Sequence, residues 1–243
     1  TGLIENLEGA VRGLKWQPGG TEWGDYYAAT NYSDSAFEAK KALVQRYLQQ
    51  AQPKTCWDLG GNTGVFSRLA SEMGVYTVSF DIDPTAVEVN YRECLKEKNP
   101  RLLPLVMDLT NPSPALGWDQ RERESLEQRG PADVVLALAL VHHLAISNNV
   151  PLPRLAEFFA RLGEHLIVEF IPKSDSQVQR LLTSRLDIFP TYTRDGFEEA
   201  FEPFYTVLQA EAVPGSERVL YLMKRKMPAA EVVIHPTTEV KLL

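Results

Sequence analysis

Three short stretches hold residues whose types and spacing can do chemistry. The first is WDLGGNTG at 57–64, where a glycine-rich turn follows a short apolar run. Such a turn can cradle a phosphate, grip a cationic cofactor or merely redirect the chain. Glycines stand at 60, 61 and 64, and Asn62 occupies the place where a G-x-G-x-x-G dinucleotide fingerprint wants its middle glycine, which works against close backbone approach to a pyrophosphate. Asp58, two residues before Gly60, repels a pyrophosphate and attracts an ammonium group, so the ligand this turn suits is cationic. The second stretch is VHHL, in which His142 and His143 follow an apolar run. An imidazole titrates near neutrality, so either fits the role of proton acceptor from a hydroxyl or amine, and either also fits packing or capping of the following turn. The third is VEFIPK, where Glu169 and Lys173 suit substrate orientation or a mutual ion pair on a solvated rim; the site reading is preferred for Glu169 and the rim for Lys173.

Elements of alternating type must carry these groups. Strand-length apolar runs at 54–59, 75–82, 102–109, 132–140 and 165–171 alternate with helical patterns, the pattern of a parallel, doubly wound sheet. In PRLAEFFARLGEH, Leu155, Phe158, Phe159 and Leu162 recur at i, i+3, i+4, i+7, so one stripe faces the sheet. Helical patterns around 178–186 and 197–204 precede FYTVLQAEAV and RVLYLMKRK, which PGSE separates; its Pro-Gly marks the turn of a closing antiparallel hairpin. The predicted fold class is therefore α/β, a doubly wound, mostly parallel seven-stranded sheet with a C-terminal antiparallel hairpin in a three-layer α/β/α sandwich. The predicted organisation is an N-terminal helical extension over 1–50, a core domain over 51–226 and a loosely held tail over 227–243 with Pro228 and Pro236. Trp23, Tyr26, Tyr27 and Tyr32 read either as a lid over a cation or as packing under the N-terminal helix.

A net charge of -7 over 243 residues gives no global field toward nucleic acid or anionic lipid. With 44% hydrophobic residues the chain can bury a sizeable core. Cys56 and Cys94 lack metal-ligand spacing, so a reducing, cytoplasmic setting is expected. The apolar stretch from Asp133 is too short to cross a bilayer and no signal peptide is read at the start, so no membrane partner is expected.

At DLGGNTG the chain resembles the class I methyltransferases that use S-adenosylmethionine, whose first motif is an acid followed by a glycine-rich turn. The resemblance spans about residues 55–226. It implies S-adenosyl-L-methionine as cofactor, with Asp58, Gly60, Gly61, Asn62 and Gly64 at its methionine end; Asn62 departs from the common glycine. It also implies an acid at the end of the second strand that bonds both ribose hydroxyls. SFDIDP supplies Asp81, with Asp83 as the alternative. A third acid belongs near the adenine amine, and VMDLTNP supplies Asp108; Ile82 and Leu109 complete the implied cofactor site. Three acids at three successive strand ends are a more specific signal than the glycines alone.

In this fold the fourth and fifth strands end beside the methyl-accepting atom, which makes His142, His143 and Glu169 the candidate catalytic residues. The base-methylating members place an Asn or Asp, two prolines and an aromatic after strand four, and ALVHHL has none. The RNA 2′-hydroxyl enzymes use two lysines, an aspartate and a glutamate; Lys40, Lys173 and a glutamate can be matched, but no aspartate ends strand four. Metal-dependent catechol-type members also need an acid there, and a histidine pair is a poor magnesium site, so no metal is expected. The reading is methyl transfer to oxygen or nitrogen of a small molecule. An RNA methyltransferase, a non-catalytic cofactor-binding module and a nicotinamide oxidoreductase are the alternatives.

Overall fold

The structure, a computed structural model, describes residues 2–16 and 34–226. The expected aromatic lid (Trp23, Tyr26, Tyr27, Tyr32) and the expected tail at 227–243 lie outside the described residues. Strands β1 (Thr55–Leu59), β2 (Tyr76–Asp81), β3 (Leu102–Val106), β4 (Ala132–Ala137), β5 (Gly163–Phe170), β6 (Tyr205–Ala212) and β7 (Val219–Arg225) form a seven-stranded sheet ordered β3-β2-β1-β4-β5-β7-β6. The first five strands run parallel, with Asp58 beside both Ser79 and Leu136. β7 is antiparallel to both neighbours and sets Glu169 opposite Leu220. The strand order reverses between β1 and β4, so a crevice opens at their carboxyl ends.

Period-two alternation divides the sheet between two cores. Trp57, Val135, Leu166 and Val168 pack with Phe159, Phe197 and Phe201 on one face. Cys56, Val134, Leu136 and Ile167 pack with Val44, Tyr47, Leu48 and Phe66 on the other. Both faces are covered, as a parallel sheet requires. The first face takes helices α5 (Leu152–Leu162) and α7 (Arg194–Phe201); the second takes α2 (Asp34–Ala51) and α3 (Val65–Glu72). Helix α1 (Gly2–Gly13) buries none of its residues. The packing of Val44, Tyr47 and Leu48 joins α2 to the sheet.

Helix α4 (Pro84–Glu97) starts where the rules of helix ends put it: Pro84 stands in the first turn and the Asp83 side chain accepts the Thr85 N–H. The short α6 (Ser176–Leu182) begins likewise at Asp175, which accepts the Gln177 N–H. Several strands end earlier than their apolar runs predict. β3 stops at Val106 rather than 109, and β4 at Ala137 rather than 140. Two residues past the end of β4, Ala139 adopts φ +50°, a left-handed conformation that no ladder accepts.

Candidate active site

The DLGGNTG turn is fixed by the strand next to it. The N–H groups of Gly60 and Gly61 both donate to Phe80 O, at 2.8 and 2.9 Å. Gly60, Asn62 and Gly64 have φ of +75°, +49° and +81°, so the turn passes repeatedly through the region that favours glycine and tolerates asparagine. A Cβ on Gly61 would strike Ser79 Oγ and the Asp58 carboxylate, and one on Gly64 would strike the Asn90 amide. These two glycines serve close packing of the turn on its own support, and Gly64 is absent from the lining of the cavity described below.

Asp58 is 2% exposed. Its Oδ2 accepts the Ser67 hydroxyl at 2.5 Å, and the Ser67 backbone N–H also bonds the carboxylate. Burial raises its pKa to about 6, and the neighbouring Asp81 charge adds to the rise. The first turn of α3 thus already faces a carboxylate, which occupies the field that a phosphate would need. Asp81 accepts Asn62 N–H on Oδ2 at 2.8 Å and Asp83 N–H on Oδ1 at 2.9 Å. Burial pushes its pKa up, against those hydrogen bonds. The Ile82 N–H bonds the same carboxylate, and its oxygens keep acceptor capacity beyond these backbone donors. Asp83, the alternative to Asp81, is committed to capping α4 at 2.8 Å and does not line the cavity. Asp108 lies at the margin, its Oδ1 held by Thr110 N–H at 2.8 Å and Thr110 Oγ1 at 2.7 Å.

These groups border a cavity of about 440 Å³, within the ordinary range of ligand pockets. Its lining includes Asp58, Gly60, Gly61, Asn62, Asp81, Ile82, Asp108 and Leu109 from the ends of β1, β2 and β3. The segment after β4 adds His143, Leu144, Ser147 and Asn148, and α6 adds Gln177, Arg180 and Leu181. His143 opens a single π-helical turn, His143–Ser147, a local widening often found at working sites.

The two histidines separate. His143 lines the cavity, and burial lowers its pKa to about 4; it is a neutral imidazole at pH 7, not one titrating near neutrality. His142 is 1% exposed, does not line the cavity, and its Nδ1 has no hydrogen-bond partner among the described residues. Burial again lowers its pKa, helped by His143, Arg218 and Lys40. The rings sit 4.1 Å apart between centroids.

Glu169, read from the sequence as a site residue, is a buried ion-pair partner. It is fully buried, does not line the cavity, and accepts Lys40 Nζ at 2.7 Å and Ala139 N–H at 2.8 Å. Lys173, read as a rim residue, bonds Asp187 and Phe189 O at 2.7 Å. Lys40 is the lining residue that strand-end reasoning leaves unplaced. It is 2% exposed, its Nζ lies 4.9 Å from the Phe66 ring centroid, and burial lowers its pKa against the pull of Glu169. A signal exists for it: Lys40 shares the helical stripe of Val44 and Leu48, where a lysine is out of place. No group of three His, Cys, Asp or Glu among the described residues is arranged to hold a metal ion, and no helix among them is long and apolar enough to cross a membrane.

No family model matches the chain. The nodulation protein NoeA of Rhizobium meliloti (strain 1021) is 38% identical over 226 residues, covering 92% of this chain and 47% of its own length; the chain spans about half of this curated relative. Among solved structures, the PH0226 protein of Pyrococcus horikoshii OT3 superposes with TM-score 0.56 at 16% identity, covering 85% of this chain and all of that one. Magnesium protoporphyrin IX methyltransferase (ChlM) of Synechocystis PCC 6803, solved with bound SAH, gives TM-score 0.54 at 16% identity over 82% of this chain and 90% of that one. The shared feature is the fold.

Proposed function

We propose, on the premise that this chain has the class I methyltransferase fold, that it is an S-adenosylmethionine-dependent methyltransferase acting on oxygen or nitrogen of a small-molecule acceptor. The observation that carries this reading is the buried pair Asp58 and Asp81 in one cavity, with the start of α3 already faced by the Asp58 carboxylate. That arrangement suits a ligand with positive charge and a diol and disfavours one with a pyrophosphate. When bound, such a cofactor supplies an electrophilic methyl on a sulfonium. Asp58 offsets its positive charge, Asp81 accepts the ribose hydroxyls, and Ile82, Asp108 and Leu109 border the adenine. Gly60, Gly61 and Asn62 form the floor.

Across the cavity, His143 presents a neutral imidazole able to take the proton lost by the acceptor. Most of the rate then comes from holding donor and acceptor in line, with Leu140, Leu144 and Leu181 excluding water. Calorimetry with S-adenosylmethionine, S-adenosylhomocysteine and NADH tests the reading. The first two bind and NADH does not; NADH binding in their place sinks it. Transfer of labelled methyl to a panel of hydroxyl- and amine-bearing small molecules, with an RNA pool alongside, then separates enzyme from binding module and small acceptor from RNA.

A further inference from the structure

Behind the cavity wall runs a chain of four charged side chains. Lys40 Nζ donates to Glu169 Oε2 at 2.7 Å, Arg218 Nη1 stands 3.9 Å from Glu169 Oε1, and Arg218 Nε donates to Asp175 Oδ2 at 2.7 Å. Their side chains are between 0% and 8% exposed. The ends of this chain belong to different walls. Lys40 lines the cavity beside Phe66, whereas Asp175 caps α6 through Gln177 N–H at 2.9 Å, and Gln177, Arg180 and Leu181 line the far side. Glu169 Oε2 also holds the N–H of Ala139, the lining residue with φ +50°.

Stability does not account for such a chain. Desolvating each ion is costly, and apolar residues of equal volume often serve as well or better. What charged partners add is a fixed distance and direction. Helix α6 needs that: of its seven residues only Val178 is fully buried, so apolar packing alone leaves its position loosely set. Ala139 needs it too, because a left-handed alanine is strained and persists where a partner holds it.

We infer that Glu169 and Arg218 are positioning residues of the acceptor wall, fixing α6 and the Ala139 turn relative to Lys40 and so setting the gap in which donor and acceptor meet. This rests on the reading of the cavity as a methyl-transfer site. Neither residue lines the cavity, so neither contacts the reacting atoms.

Amide hydrogen exchange on the whole chain, without ligand and saturated with S-adenosylhomocysteine, tests the inference in Glu169→Gln, Arg218→Met and Arg218→Lys. In Glu169→Gln and Arg218→Met, exchange of residues 176–182 speeds up about tenfold or more while residues 84–97 keep their wild-type rates. Arg218→Lys, which keeps the charge but not the planar fork, restores part of the protection. Glu169→Gln retains S-adenosylhomocysteine affinity within about threefold. Should Arg218→Met not fold, Glu169→Gln carries the same comparison of residues 176–182 with 84–97. Unchanged exchange at 176–182, an equal rise at 84–97, or failure of Arg218→Lys to restore protection overturns the inference. Absence of S-adenosylhomocysteine binding by the wild-type chain instead overturns the methyl-transfer reading, and the exchange pattern reports on the wall in either case.

Discussion

Asp58 Oδ2 accepts the Ser67 hydroxyl at 2.5 Å, which ties the end of β1 to the first turn of α3 with a carboxylate that water barely reaches. The bond stabilises the charge but does not repay its burial, since the pKa still rises from 3.8 to about 6. The folded chain therefore holds this proton more tightly than the unfolded chain does. Asp58 protonated is neutral to folding; Asp58 ionised opposes it. The same ionised group is what a cationic ligand would compensate, so an element costly to the empty fold becomes favourable in the complex.

A pH series on Asp58→Asn follows from that sign. Without ligand, the wild-type chain loses stability relative to the variant as pH rises from about 4 to about 6, and the difference then levels at roughly 3 kcal/mol, the equivalent of the shift. Urea unfolding of both proteins between pH 4 and 8 measures it. S-adenosylmethionine affinity moves the other way: at pH 7 it is weaker in the variant, and below pH 6, as Asp58 protonates, the wild-type affinity falls toward that of the variant. Parallel stability curves across the range would show that Asp58 does not titrate as its burial requires.

Asp81 has both oxygens engaged by backbone N–H groups of Asn62 and Asp83, so Asp81→Ala removes a ligand acceptor and two supports of the turn together. Cofactor affinity should fall by roughly 1.5–3 kcal/mol, the range for a charged hydrogen-bonding group. Asn62→Ala, which keeps the backbone N–H to Asp81, should cost much less. Calorimetry with S-adenosylhomocysteine separates the two, and equal losses would mean the turn, not the carboxylate, matters.

Gly64→Ala should destabilise the fold without involving ligand contacts. The residue sits at φ +81° and a Cβ would overlap the Asn90 amide. The backbone alone costs about 1–2 kcal/mol. Adding Asn90→Ala should relieve the overlap and return part of the stability, leaving the backbone cost. Full recovery in the double variant would mean the φ of Gly64 imposes no penalty.

The acids and the parallel sheet are legible in the sequence because both are local: an apolar run, then a carboxylate or a glycine at its end, read within ten residues. Lys40 and Glu169 are 129 positions apart, and nothing near either says that they meet. Glu169 therefore reads as a site residue, although its side chain turns to the interior and is linked to the cavity lining through Ala139 and Lys40. The α6 wall is hidden for another reason. Gln177 and Arg180 are ordinary polar residues of a short helix, and their place at the cavity follows from the Asp175–Arg218 pair. His142 and His143 are identical in type and adjacent, so no local pattern ranks them, whereas the π-helical turn that begins at His143 does.

That ranking gives the last prediction. His143 lines the cavity and His142 does not, so once an acceptor is found by labelled-methyl screening, His143→Ala should lower the rate about 10²–10⁴-fold, the range for a general base, with S-adenosylhomocysteine affinity nearly unchanged. His142→Ala should affect folding more than rate, because it empties a buried site beside the His143 ring. The pH profile distinguishes this base from an exposed histidine. With the His143 pKa near 4, the imidazole is already neutral at pH 6, so the rate should be flat in this group from pH 6 to 9 and fall only as the pH approaches 4. A rate limb centred near 6.5 that disappears in His143→Ala would mean the ring is solvated during turnover. Turnover unaffected by His143→Ala and by the His142→Ala/His143→Ala double variant would leave catalysis to positioning across the Glu169 and Arg218 wall.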